Sequence, residues 1–381
     1  MTDNQIVWTG TLFEPTGYGT STRRYLKELD IRGFDIVAKA KYHSTAGYTP
    51  VNKSDLEMLM RMTKVPMQVG THRLEIIHQT PEHYDFANDG NAYYVGMTTF
   101  ETDNVPPYFT NNLRAVDEVW TYTEWGKQVF LDHNLNKNIH VIPHGVDVER
   151  FNPDVEPLLD LREGGDVFVF GCMAEWVSKK NTYTLLEGYF KAFKASDPVR
   201  LVLKTYLPSD RHATSGLVNR VIEGLKLKLG MDKVPEVCLM CDYLDDNDIP
   251  AWYTSLDAYI LPSHGEGWSL THSDAMASGL PTVAINWSGV TEYMTHENSF
   301  LIDDYKVEPI PQHVTAVETL FTGHKWATCT SDAVASVMGD IFNNRDAAKI
   351  VGQRARQDMC DKWTWQQAGQ KMAGRIKEID W

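Results

Sequence analysis

The chain has 381 residues, 43% of them hydrophobic and 23% charged, a size and balance that suit a soluble protein of two domains. Its formal charge of -15 argues against nonspecific affinity for nucleic acid or for an anionic membrane. No apolar run approaches the roughly 18–20 residues of a membrane span, and the N-terminus has no signal-peptide pattern, so a cytoplasmic protein without a span is expected.

Residues 5–9 read as a first strand. A loop over 10–20 holds Thr16-Gly17-Tyr18-Gly19, and Ser21 or Thr22 can cap a helix over 23–31 that stops at Gly33, before a strand at 36–38. As a G-x-G-x-x-G pattern the loop fails, because position 22 is Thr. Residues 54–64 form an amphipathic pattern with Leu56, Leu59 and Met60 on one face. Core packing is expected there rather than membrane docking, which needs many more basic residues. Strands at 74–77, ending at His78, and at 92–97 follow, the latter leading into Thr98-Thr99-Phe100-Glu101-Thr102-Asp103. A strand at 117–122, a helix at 124–131 and a strand at 139–142 lead to a segment from Pro143 to Pro153. Polar, Pro- and Gly-containing residues up to Gly165 read as a linker.

The second half opens with a strand at 167–170 and a loop carrying Lys179 and Lys180 just before a helix at 184–193. A strand at 200–204, a helix at 215–229 and a strand at 237–239 come next. Cys238 and Cys241 form the one CxxC; on a strand they would point to opposite faces, so neither a redox pair nor a zinc site is expected, and no second Cys/His pair completes one. Asp246-Asn247-Asp248 looks superficially like a metal-binding DxD but precedes a helix at 249–255, where carboxylates suit the positive N-terminus.

The apolar run at 259–261 breaks at Pro262 into the loop Ser263-His264-Gly265-Glu266-Gly267. Ser269 or Thr271 can cap the helix that follows, to about residue 278, with Gly279 as its stop and a strand at 282–285 beyond. The N-terminus of that helix suits a phosphate, having unpaired N–H groups and partial positive charge. Glu266 and Asp274 flank it. Carboxylates would repel a phosphate, so they fit the hydroxyls of a sugar and a ribose on either side of a pyrophosphate; the plainer reading gives Glu266 to the helix dipole and Asp274 to a solvated face. Strands alternating with helices argue for an α/β protein with doubly wound parallel sheets, which bind ligands at the carboxyl ends of their strands.

Residues 260–294 resemble the donor-binding motif of retaining GT-B glycosyltransferases of family 4, a Glu-x7-Glu pattern. Pro262-Ser263, Glu266-Gly267, Ala275-Met276-Ala277, Gly279 and Pro281-Thr282-Val283-Ala284 match its frame, with Asp274 in place of the second Glu. The segment from Pro143 resembles the family's P-N-G-V-D-x-x-x-F-x-P run with His144 for Asn, and Ser288-Gly289-Val290-Thr291-Glu292 resembles its G-G-x-x-E turn. The resemblance implies a GT-B fold, two Rossmann-like domains facing a cleft. Residues 1–157, completed by a C-terminal helix within 363–381, would lie on the acceptor side, and 158–362 would bind the nucleotide sugar.

It further implies retaining transfer from a nucleotide sugar, with no cofactor and no metal. Glu266 would hold sugar hydroxyls and Asp274 the ribose. Lys180, with Lys179 in place of a missing Arg, would hold the pyrophosphate together with N–H groups of Gly267, Trp268 and Ser269. Gly17 and Gly19 would approach the donor phosphate and the acceptor. The relatives' His after a first-domain strand has no counterpart, leaving Glu101 as the nearest polar substitute and His78 as a second candidate. The acceptor expected is a glycan or small hydroxylated molecule. The alternatives are a polyanion such as a hydroxylated DNA base, met by Arg23, Arg24 and Lys27, a nucleotide-sugar epimerase or hydrolase of the same fold, and a non-catalytic nucleotide-sugar-binding module.

Overall fold

In the computed structural model the described residues are 5–41, 52–68, 71–86, 90–135, 138–162 and 165–381, so residues 163–164 of the expected linker lie outside them. The chain divides into two compact units, residues 1–145 with 363–381, and residues 146–362. Residues 146–157, read from sequence as the end of the first domain, pack with the second unit.

The first unit is built on β1 (Gln5–Gly10), α1 (Gly17–Ile31), β2 (Ile36–Ala40), α2 (Lys53–Met62), β3 (Arg73–His78), β4 (Ala92–Met97), α3 (Pro107–Leu113), β5 (Glu118–Thr121), α4 (Glu124–Asp132) and β6 (Asn138–Val141). Its strands form one sheet in the order β2-β1-β3-β4-β5-β6, every neighbouring pair parallel. β1 and β3 are buried along their whole length, as expected of parallel strands covered on both faces. β3 nevertheless carries Arg73 and Glu75, and Arg73 Nε donates to Glu75 Oε1 at 2.7 Å. α2 buries Leu59 and Met62 but not the face expected from sequence, since Leu56 and Met60 are exposed.

The second unit runs β7 (Phe168–Glu175), α5 (Thr182–Ala192), β8 (Val199–Tyr206), α6 (Thr214–Lys228), β9 (Glu236–Met240), α7 (Ile249–Thr254), β10 (Ala258–Ile260), α8 (Leu270–Ala277), β11 (Thr282–Ile285) and β12 (Phe300–Ile302). A hairpin of β13 (Tyr305–Pro309) and β14 (Lys325–Cys329) spans α9 (Gln312–Thr315), and α10 (Ser331–Asn343) and α11 (Arg345–Lys362) follow. The sheet order is β12-β11-β10-β7-β8-β9, all parallel. That is the 3-2-1-4-5-6 order of dinucleotide-binding sheets. The Asp246 carboxylate pairs with Arg150 at 3.0 Å, and the turn before α7 is capped by Asp245 through the Asn247 amide, so Asp246 is not the cap expected from sequence.

α12 (Trp365–Glu378) returns to the first unit. Thr364 and Gln367 form a reciprocal capping box at its start. Its Arg375 meets both oxygens of Glu118 on β5, each at 2.8 Å, and Glu118 is fully buried. Burial alone would push the Glu118 carboxyl up, but hydrogen bonds from Arg375 and Trp120 outweigh it and hold the group below its ordinary value. Replacing Arg375 by Met would leave a buried carboxylate without its main cation. Urea denaturation of Arg375→Met is expected to show a loss of roughly 3 kcal/mol, the low end for breaking a buried pair, because Trp120 still donates.

Candidate active site

Where a parallel sheet is wound in two directions, the loops after the two strands at the reversal diverge and open a crevice at their carboxyl ends. In the second unit those strands are β7 and β10. The loop after β7 carries Lys179 and Lys180 in a single 3-10 turn, and the loop after β10 carries Glu266. Asn181 joins the two loops. It is buried in the left-handed region at φ 54°, and its Nδ2 donates to the Pro262 carbonyl at 3.0 Å. One step away the His264 amide donates to the Lys179 carbonyl at 2.9 Å.

This lacing sets Lys180 Nζ 2.6 Å from Glu266 Oε1, with the glutamate side chain 7% exposed. Burial would raise the Glu266 carboxyl, but the charges of Lys180 and Lys179 and the hydrogen bond from Lys180 outweigh it and hold it well below the usual carboxylate range. Glu266 is therefore ionised at neutral pH and acts only as an acceptor.

The backbone of Glu266 is clamped as well. Its amide donates to Ser288 Oγ at 2.9 Å, and its carbonyl accepts from the Gly289 amide at 2.8 Å. A Cβ on Gly289 would run into the carbonyls of Glu266 and Gly267, so the turn resembling G-G-x-x-E is a close-approach site. Ser288 and Ser269 also hold positive φ, 68° and 74°. With Asn181 they make three of the four non-glycine residues in that region among the described residues, all around one carboxylate, where backbone strain is characteristic of functional loops.

Of Ser269 and Thr271, expected as alternative caps of α8, neither side chain caps it, although Ser269 holds the cap position. Its Oγ lies 2.6 Å from His272 Nδ1, while His272 Nε2 lies 3.1 Å from the Leu261 carbonyl. A carbonyl only accepts, so Nε2 carries the proton and Nδ1 accepts from the serine hydroxyl. α8 thus starts without a side-chain cap, which leaves its first-turn amides to another acceptor. The Tyr293 hydroxyl reaches the carbonyls of Trp268 and Ser269 at 2.8 and 2.9 Å, pinning the loop from below. His264 stacks on Trp326 of β14 at 4.2 Å and donates from Nδ1 to the Ala327 carbonyl at 2.6 Å. Burial pushes the imidazoles of His264 and His272 down to about 4, so both are neutral at neutral pH. Asp274 lies half-buried in the second turn of α8.

In the second unit the structure thus gathers Lys179, Lys180, Glu266, Gly267, Trp268 and Ser269 on two laced loops. Candidates in the first unit fare differently. Gly17 and Gly19 do not form a loop; they start α1, capped by Thr16, whose hydroxyl accepts from the Gly19 amide at 3.1 Å. Gly19 is required because a Cβ there would strike the Glu14 carbonyl. Ser21 and Thr22, expected as alternative caps, both sit inside the helix, where Ser21 donates to the Gly17 carbonyl at 2.8 Å. His78 is fully buried, with Nδ1 2.7 Å from Thr22 Oγ1 and Nε2 2.8 Å from the Tyr122 hydroxyl. Both ring nitrogens are engaged within the core, which removes it as a sugar-contacting candidate. Glu101 lies half-buried just after β4. The Arg23 guanidinium donates to the carbonyls of Leu12 and Glu14 at 3.1 and 2.9 Å, holding the loop before α1.

Sequence reasoning missed Asn181, His272 and Tyr293. Asn181 carried a signal, since Asn before a helix readily adopts left-handed backbone. His272 carried none, because its partners come from a strand end and a cap position.

These two doubly wound sheets define the GT-B fold of glycosyltransferases. Sucrose-phosphate synthase from Thermosynechococcus elongatus superposes with a TM-score of 0.70 over 98% of both chains, at 15% identity. HepE from Anabaena, solved with UDP and glucose, gives 0.66 over 98% of this chain and 100% of that one, at 13% identity. The model of the family described as glycosyl transferases group 1 matches residues 166–319, within the second unit. A GDP-mannose-dependent alpha-(1-6)-phosphatidylinositol monomannoside mannosyltransferase of Mycobacterium tuberculosis is 22% identical over 64% of this chain and 57% of its own length. Mannosylfructose-phosphate synthase of Agrobacterium fabrum is 28% identical over 45% of this chain and 38% of its own. The chain spans about half the length of the curated relatives it matches. Among the described residues no helix is long and apolar enough to cross a membrane.

The depressed imidazoles have a consequence for stability. Between pH 6.5 and about 4 the unfolded chain takes up protons at His264 and His272 that the folded chain refuses. Stability should therefore fall as pH drops through that window, each imidazole contributing up to about 1.4 kcal/mol per pH unit. Glu266 adds a loss below its ordinary value near 4.5. Urea denaturation of wild type and His272→Gln from pH 7 to 4.5 checks this, the variant being expected to lose less stability per pH unit.

Proposed function

We propose that the protein transfers a sugar from a nucleotide-sugar donor to a hydroxyl group of an acceptor, with retention and without a metal. The observation that carries this reading is the ionised Glu266 paired with Lys180 at the β7/β10 reversal, beside the uncapped start of α8. A pyrophosphate held there would lie against Lys180, Lys179 and the first amides of α8, where helix dipole and ammonium both favour negative charge. When the bond from the anomeric carbon to the phosphate oxygen breaks, charge builds on that oxygen, and these groups stabilise it in place. Glu266, being an acceptor only, is suited to hydroxyls of the departing sugar and not to the phosphate. The acceptor oxygen bonds to the anomeric carbon on the face the phosphate leaves, and its proton passes to the leaving phosphate oxygen, so no side chain is needed as base. Asp274, farther along α8, is the candidate for the ribose.

Two relatives named as a GDP-mannose-dependent mannosyltransferase and a mannosylfructose-phosphate synthase support a sugar-transferring reading over an epimerase or a purely binding module. A hydroxylated acceptor is favoured over a polyanion because Arg23, the first residue of the basic patch, is committed to backbone carbonyls of its own loop.

With a screened nucleotide sugar as donor, Lys180→Ala should lower the transfer rate by about 10²–10³-fold, the scale for losing one preorganised charge-stabilising group. Glu266→Gln, close in shape, should abolish transfer while the far-UV spectrum stays native. Near-normal turnover in Glu266→Gln would remove the assignment. Dialysis against EDTA should leave the wild-type rate nearly unchanged, and strict dependence on Mg²⁺ or Mn²⁺ would overturn the metal-free mechanism.

A further inference from the structure

The carboxyl end of the second sheet continues past the Lys180–Glu266 pair onto β8 and β9. Lys204 stands there on β8, in register with Met173 of β7 and Met240 of β9. It is only 8% exposed, yet its ammonium has no hydrogen bond and no ion pair among the described residues. The neighbouring groups do not neutralise it. Arg211 repels it, and Cys241 and Asp242 each attract it more weakly than Arg211 repels it. The carboxylate of Glu175, at the end of β7, is taken by the Tyr206 hydroxyl at 2.7 Å, and Arg211 lies over the Tyr206 ring at 4.7 Å. Burial and Arg211 together push the lysine below its ordinary value, so the site is poor in anions as it stands.

A nearly buried lysine whose ammonium has no protein partner leaves three donors to solvent or to a ligand, and a ligand that takes the place of solvent there must present an acceptor. In the function proposed above Glu266 meets the sugar, and Lys180, Lys179 and the first amides of α8 meet the pyrophosphate, so those parts of the donor have their own partners. What remains of a nucleotide sugar is the nucleoside. We infer that Lys204 selects the donor's base, its ammonium donating to an exocyclic carbonyl oxygen of a uracil or guanine. Adenine has no carbonyl and would turn an amino donor toward it. This inference rests on the nucleotide-sugar reading above.

The test is calorimetric binding of UDP, GDP and ADP to wild type and to Lys204→Met, which keeps the length of the stem and drops the charge. Wild type should bind UDP or GDP at least about tenfold more tightly than ADP. Lys204→Met should weaken the preferred ligand by about tenfold or more, the scale of a hydrogen bond to a charged group, and leave ADP within about twofold. Removal of an unpaired buried charge should leave the urea midpoint unchanged or higher. Should Lys204→Met misfold, Lys204→Gln, which retains an N–H donor, should keep the base preference. Equal losses for all three nucleotides would place Lys204 on the phosphates and overturn the inference, as would no loss at all or equal wild-type affinity for ADP. A wild type that binds none of the three would instead overturn the nucleotide-sugar reading itself.

Discussion

A carboxylate buried at the crevice of a doubly wound sheet is the constraint on which the second unit turns. Glu266 stays ionised there only because Lys180 stands 2.6 Å away with Lys179 nearby, and the two lysines come from a different strand–helix connection. The pair therefore exists only if β7 and β10 are neighbours and their loops are held in fixed register. Asn181 and the Lys179–His264 backbone bond do that holding, and Ser288, Gly289 and Tyr293 fix the other side. Positive-φ backbone at Asn181, Ser269 and Ser288 is the local cost of this arrangement.

The same arrangement explains why the loop can be both rigid and receptive. The carbonyls of Trp268 and Ser269 and the Ser269 hydroxyl are used internally, by Tyr293 and His272, while the first amides of α8 are left without a side-chain acceptor. A neutral His272 is needed for this, since a protonated ring could not accept from Ser269. Burial keeps it neutral. Those carbonyls are thus consumed while the first amides of α8 are retained, an arrangement that suits an anion although the protein as a whole carries a charge of -15.

The first unit uses its polar residues in a different way. His78, Thr22 and Tyr122 form a buried chain of hydrogen bonds, and Arg23 braces the loop before α1. α12 is tied to β5 through Arg375 and Glu118, so the last helix in the chain completes the unit formed by the first residues. His78 and Arg23, which in sequence were candidates for ligand contact, are here engaged within the unit.

Much of this was legible in the sequence. Apolar runs bounded by Gly and Pro marked the strands, because parallel strands buried on both faces must be apolar. The string from Pro262 to Ala284 marked the Glu266 loop, because its glycines, prolines and helix-cap residues must fall at set spacings. Boundaries were less certain: α1 starts at Gly17 since Thr16 outcompetes Ser21 as a cap, a choice made by backbone geometry. Only the tertiary structure could decide which partner each polar group finds. It turned Ser269 from cap to donor for His272, took both nitrogens of His78 into the core and gave Asp246 to Arg150. It also left Lys204 buried with none. Periodicity and turn chemistry are local and can be read along the chain, whereas hydrogen-bond partners and burial depend on residues tens to hundreds of positions apart, which only the fold brings together.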